Sequence, residues 1–412
     1  MKKQICTLLC LLFLSGCSSF GRGLVEGFMD AQEKKKQDVS CSIMSAGFDG
    51  LKRSKEKVIK VLLVHGIGNH VPGHSMSFML DLADRMGMDT VKRNHKEIRL
   101  QNEKGDFVGI LRVYHFKNQI SGHSIIFYEQ TWSGITDDLK NNLSYDTTRA
   151  YAKNRSVVNG QMKYYLNTTL PDTAIYFGPK GDLMLSSSIQ SFCWMTNYSY
   201  DDLPDKATSL CSVSAQKAAK SLSKENFVFI TNSLGSRIAI DALQQMAEKI
   251  RTLPQDDMQL QKTLKLLREK EVTVFMLANQ LPLLQMGKNP PEHVGLRDAY
   301  CSDKGDRRNL RLFKGLNVVA ISDPNDLLSY GLEPDAADKY FDSALCPQVS
   351  NVSITTTSAV DLGFGEIANP LSAHTNYQRS PYVLDLIIDG LKDDYLAPAI
   401  DEKCNWIKLE DK

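Results

Sequence analysis

The stretch Phe227-Val-Phe-Ile-Thr-Asn-Ser233-Leu-Gly-Ser-Arg-Ile-Ala-Ile-Asp-Ala-Leu243 constrains the chain more than any other. Phe227 to Ile230 is a bulky apolar run suited to a buried strand. Ala239, Ala242, Leu243 and Met246 then recur at helical spacing, and the charged Arg237 and Asp241 fall off that stripe. Only Thr231 to Gly235 remains for the turn. A reversal this sharp projects the hydroxyl of Ser233 out of the sheet edge. It also places the Leu234 N–H at a helix N-terminus, where negative charge is welcome. Gly235 is required because the helix passes close to the strand there. Ser-x-Gly also occurs at Ser19, Ser45 and Ser329, but none of those has both a strand before it and an amphipathic helix after it. The plainer alternative is a serine capping an ordinary turn.

A second stretch has the same strand–loop–helix layout. Val58 to Val64 reads as a strand, His65-Gly-Ile-Gly-Asn-His-Val-Pro-Gly-His74 follows, and a helix begins near Ser75 with Met76, Met79, Leu80, Ala83 and Met86 on one face. Without Gly-Lys-Ser/Thr or Gly-x-Gly-x-x-Gly, it is not a phosphate cradle. His65, His70 and His74 come without an acidic or cysteine ligand, so a metal site is not expected. His70 and His74 are expected to line the mouth of a site or face solvent.

A strand followed by His-Gly-Ile-Gly resembles the oxyanion loop of the α/β-hydrolases, particularly lipases and esterases. The turn at Ser233 resembles their nucleophile elbow, with Thr231 standing where the first glycine of Gly-x-Ser-x-Gly is usual. The resemblance implies an α/β-hydrolase fold: a mostly parallel central sheet flanked by helices, with a cap-like insertion. It implies Ser233 as nucleophile and the backbone N–H groups of Ile67 and Leu234 as oxyanion donors. In resembling lipases the acid follows a late strand. Here Leu316 to Ser322 is such a strand, and Asp323-Pro-Asn-Asp326 follows it. Asp326 is favoured as the acid, and Asp323 as the N-cap of a helix opening on Pro324. Of the eight histidines only His374 lies after Asp326, completing the order Ser, Asp, His, and it is expected at the end of a long loop from Ser358. No metal or organic cofactor is required.

Lys2 and Lys3, the apolar run Ile5 to Leu14 and Leu14-Ser-Gly-Cys17 resemble a bacterial lipoprotein signal, with Cys17 as the lipidated residue. Ser18 after it suggests the outer membrane of a Gram-negative cell. The expected organisation is a signal peptide over 1–16, a lipid-anchored tether over 17–57, a hydrolase domain over 58–395 and a C-terminal tail over 396–412. The insertion spans about 147–221, and its aromatic run Phe192 to Tyr200 reads as local core or as a lid. A formal net charge of +1 gives no support for nucleic-acid binding. Beyond the signal and Cys17, six cysteines remain in an oxidising compartment. Spacing does not fix their pairing, but Cys193–Cys211 and Cys301–Cys346 each bracket a polar segment that a staple would hold.

The expected function is a membrane-anchored serine ester hydrolase acting on ester or lipid substrates. The alternatives are a catalytically silent envelope lipoprotein using the fold as a binding scaffold, and a thioesterase or peptidase with the same residues.

Overall fold

The computed structural model describes residues 45–52, 57–91, 95–212, 214–254, 256–333, 335–361, 366–391 and 404–408. The signal segment, Cys17, Cys41 and the tether up to residue 44 lie outside them. One large sheet contains β1 (Val58–Val64), β2 (Lys96–Gln101), β3 (Phe107–Lys117), β4 (Ser124–Thr131) and β5 (Lys206–Ser209). It continues with β6 (Glu225–Asn232), β7 (Glu271–Leu277), β8 (Gly315–Ser322), β9 (Pro347–Ile354) and β10 (Cys404–Lys408). Across the sheet the order is β5-β2-β3-β4-β1-β6-β7-β8-β9-β10, and Asp89–Thr90 also pairs with β3. From β4 to β9 neighbouring strands are parallel. The β2–β3, β3–β4 and β9–β10 pairs are antiparallel. This is an α/β protein with a mixed, mostly parallel sheet.

The central strands are continuous apolar runs because both their faces are covered. Along β1, Val61 and Leu63 point into one core and Leu62 and Val64 into the other. The first core is closed by Phe48–Lys52, α1 (Met76–Arg85) and a late helix, Pro381–Asp389. Two further helices approach the sheet edge that carries the site: α2 (Asp137–Asn141) and α3 (Val157–Tyr176). The second core is closed by α4 (Gly181–Asn197), α5 (Ala215–Leu222), α6 (Leu234–Arg251) and α7 (Met258–Arg268). Lys60, a cation in a central strand, is wholly buried. Its ammonium donates to the Met195 and Tyr198 carbonyls at 2.7 Å each and pairs with Glu225 at 2.6 Å. It thereby satisfies carbonyls that the end of α4 leaves without helical partners.

Three expectations about organisation change. The folded body begins before residue 57: Phe48 is fully buried, and Ser45–Ala46 pairs with Gly390–Leu391. Part of the expected tail is β10, which covers the open edge of β9. The excursion over 147–221 is mostly a structural layer rather than a cap. Phe192, Trp194, Met195 and Tyr200 are core residues, with Phe192 stacked on Phe229 at 5.6 Å.

The disulfides among the described residues are Cys193–Cys211 and Cys301–Cys346, the two pairings expected from the segments they bracket. They place the folded protein in an oxidising, extracytoplasmic setting. No described helix is long and apolar enough to cross a membrane.

Candidate active site

β6 ends at Asn232, α6 begins at Leu234, and Ser233 alone makes the turn. It sits at φ 51° and ψ −123°, in the left-handed half of φ that non-glycine residues avoid. Such a conformation costs about 1–3 kcal/mol and persists only where its surroundings enforce it. Two backbone bonds do so: Ser233 N–H to Leu277 O at 2.9 Å, and Ser236 N–H to Ser233 O at 3.0 Å. Gly235 is where the helix crosses the β1 terminus, and a Cβ there would lie 2.5 Å from the Val64 and His65 carbonyl oxygens. Thr231 replaces the usual glycine without crowding the turn. Its side chain is buried, and Oγ1 bonds Ser236 Oγ at 2.8 Å, lacing strand to helix. The Ser233 hydroxyl is buried and has no hydrogen-bond partner among the described residues.

The loop after β1 lies beside this serine because β1 and β6 are neighbours. The chain passes from one side of β1 to the other between these strands, and such a switch point opens a crevice at the carboxyl ends of the strands. Gly66 is tight against the serine: a Cβ on it would stand 2.8 Å from Ser233 Cβ. The tautomer of His65 follows from its neighbours. Nε2 accepts the Trp132 backbone N–H at 3.0 Å, so Nδ1 carries the proton and donates to Gly66 O at 2.8 Å. Because that peptide is planar and trans, fixing the Gly66 carbonyl aims the Ile67 N–H the opposite way. Leu234, the first residue of α6, carries one of the N–H groups that a helix leaves without a partner.

Two groups absent from the sequence reading hold the loop from the other side. Gly68 N–H donates to Asp172 Oδ2 at 2.6 Å. Lys140 pairs with Asp172 at 3.1 Å and also bonds Asn69 Oδ1. Asp172 follows Pro171 within α3, and Lys140 lies on α2, so the excursion and the helix before it clamp the glycine loop.

Beyond β8 the two aspartates have separate tasks. Asp326 receives His374 Nδ1, at 3.0 Å from Oδ1 and 2.9 Å from Oδ2. Leu328 N–H at 2.9 Å and Tyr377 O–H at 3.0 Å complete its shell. Burial pushes the Asp326 pKa up, but the His374 bond and charge, with those two donors, outweigh it and hold the carboxyl below its ordinary value. Asp323 caps no helix. It accepts Asn325 N–H at 2.8 Å in a local turn, and Thr356 N–H at 2.6 Å and Oγ1 at 2.8 Å from the end of β9. Its own N–H donates to Tyr377 at 2.7 Å, so one buried tyrosine sets both aspartates.

His374 is not in a loop but in a short helix, Pro370–Thr375. The signal was present in Asn369-Pro370: the Asn369 side chain accepts the Leu371 and Ser372 N–H groups, and proline takes the first helical position. The structure thus brings Asp326 and His374 into contact, and sets Ile67 in the loop after β1 and Leu234 at the start of α6, next to Ser233. It places no hydrogen bond between Ser233 Oγ and His374.

No protein-family model matches the chain, and neither a curated protein nor a solved structure is detectably similar to it.

The charged residues off the α6 stripe are not on a solvent face. Arg237 and Asp241 are buried and paired, and Tyr176, Lys288 and Gln285 complete the network. The excursion and the loop after β7 cover this side of α6, and a window around the helix cannot show that.

His70 and His74 are half-buried beside the glycine loop. Their rings stand 4.8 Å apart, and His70 packs on His65 at 4.2 Å. Both His65 nitrogens are already engaged, and no described group of three or more His, Cys, Asp or Glu is arranged to hold a metal. Burial lowers the pKa of His70 and His74 to about 4, with the His74 charge also acting on His70. Their folded pKa values are depressed, so the unfolded chain takes protons first. Stability is full above about pH 6.5 and falls as pH drops toward 4, by on the order of 3 kcal/mol per ring. Denaturant unfolding at pH 7 and pH 4.5 should show this loss, and His70→Gln with His74→Gln should flatten it.

Proposed function

We propose that the chain is a serine ester hydrolase of α/β-hydrolase type, with Ser233, Asp326 and His374 as its triad. The observation that carries this reading is the strained Ser233, whose unbonded hydroxyl lies at the sheet edge that also bears the Asp326–His374 pair. Strain of this kind clusters at active sites.

In this reading His374 Nε2 takes the proton of Ser233 Oγ as that oxygen adds to the substrate carbonyl. The Ile67 and Leu234 N–H groups receive the resulting oxyanion, each worth about 3–4 kcal/mol of barrier. The imidazolium then protonates the leaving alcohol, and water, deprotonated by the same histidine, releases the acid and restores Ser233. Asp326 holds the proton on Nδ1, leaving Nε2 as the base. A lipid on Cys17 would anchor the enzyme in the cell envelope, on the outer membrane if the host is Gram-negative. A thioesterase or peptidase would use the same atoms.

One observation favours the silent scaffold instead: Ser233 Oγ is not bonded to His374. Hydrogen bonds of this kind often tighten only around substrate. A fluorophosphonate separates the two readings. Stoichiometric adduct on Ser233, with turnover of p-nitrophenyl esters of some acyl length, is the expected result. No adduct and no turnover at any length would leave the scaffold standing.

A further inference from the structure

The first half of α3 leaves an apolar side uncovered. At 3.6 residues per turn Val157, Val158, Met162, Tyr165 and Leu166 share one side, and Asn159, Lys163 and Asn167 the other. The polar side is turned to the surface turn Ser144–Thr147: Asn167 donates to Asp146 at 3.2 Å, and Lys163 lies 3.9 Å from the same carboxylate. The apolar side stands in solvent, with Val157 79% and Met162 59% exposed. Tyr145 and Tyr151, both exposed, pack edge to face at 5.1 Å just before this helix. An apolar face turned outward needs something to cover it.

Charge narrows what that is. From Ser144 to Leu166 the chain carries Arg149, Lys153, Arg155 and Lys163 against Asp146 alone, a net charge of +3. Arg155 and Lys163 are turned to Asp146, whereas Arg149 and Lys153 are exposed. Interleaved valine, methionine, leucine and tyrosine beside unneutralised cations match the two zones of an anionic lipid surface, apolar chains below and phosphates above. We propose that residues 144–166 form a docking surface for an anionic phospholipid bilayer. The same helix continues to the glycine loop, with Thr169 beside Gly68 and Asp172 bonded to it, so a docked molecule would hold its site close to the lipid. The surface is independent of the Cys17 anchor and of the hydrolase reading.

The test is flotation with vesicles of phosphatidylcholine, with and without phosphatidylglycerol. It uses the full chain carrying Cys17→Ser and Ser233→Ala, so that neither an anchor nor hydrolysis contributes. Binding is expected only with phosphatidylglycerol. Arg149→Gln with Lys153→Gln should weaken it about 25-fold, at about fivefold per charge. Val158→Glu with Met162→Glu should weaken it at least about tenfold. All four positions are exposed, so the variants should melt with the parent. Equal binding by parent and variants overturns the proposal, as does indifference to phosphatidylglycerol. Concentration-dependent dimers that the glutamate variant abolishes, without lipid binding by the parent, would assign the face to a second copy instead.

Discussion

Ser233→Ala is expected to lower kcat for ester hydrolysis by on the order of 10⁶, the cost of losing a triad nucleophile, and to abolish fluorophosphonate labelling. The informative companion is Ser233→Gly. Alanine keeps the strain at φ 51°, since its Cβ suffers in that region as serine's does, so its melting should follow the parent. Glycine relieves the strain and should raise stability by about 1 kcal/mol while remaining equally inactive. A dead variant more stable than the parent is what a residue kept for chemistry produces. Serine and glycine variants of equal stability would mean that the turn stores no strain, and unchanged turnover in both would end the nucleophile assignment.

Asp326→Asn is expected to lower kcat by roughly 10⁴ with little loss of stability. The Tyr377 hydroxyl can turn to Ser329 and accept an N–H of the amide, leaving the amide oxygen to Leu328 N–H. The amide can donate to His374 Nδ1, which places the ring proton on Nε2, where a base is needed. Asp323→Asn should behave in the opposite way. A carboxylate oxygen of Asp323 accepts both the N–H and Oγ1–H of Thr356, and the other oxygen accepts Asn325 N–H. An amide can serve only one of these sides, costing about 1–3 kcal/mol while leaving turnover per folded molecule near the parent's. Measuring kcat and unfolding free energy on both variants separates the two aspartates. A dead Asp323→Asn with an active Asp326→Asn would reverse their roles.

The nearness of Asp326 to His374 is legible in the chain because each follows a strand of one parallel sheet, and parallel strands bring successive loops to a single edge. The turn at Ser233 is legible for a related reason: strand and helix patterns leave only five residues between Ile230 and Ser236. What escapes the sequence is whatever a distant segment decides. Arg237 and Asp241 have a solvent-facing pattern until Tyr176 and Lys288 arrive from elsewhere to bury them. Nothing near Asp172 or Tyr377 marks them, since each is defined by an atom more than fifty residues away. Lys60 in an apolar strand is the sort of anomaly that does announce itself. A cation among Val, Ile and Leu must find acceptors, although the sequence does not say which.

The strand order also sets a timetable. β1, the earliest long strand, ends in the middle of the sheet, with Val58 opposite Ser124 on one side and Glu225 on the other. As the chain emerges, the hairpins β2–β3 and β3–β4 can close at once, and β1 can join β4. Its second edge must wait for residue 225. From there β6 docks on β1, and β7, β8 and β9 each dock on the strand made just before, so the sheet grows outward in one direction. Such pairings between distant segments are slow to form. The glycine loop, serine, aspartate and histidine are therefore delivered in that order, hundreds of residues of growth separating the first from the last. No shorter nascent chain holds the complete set, and a half-made molecule can do none of the proposed chemistry.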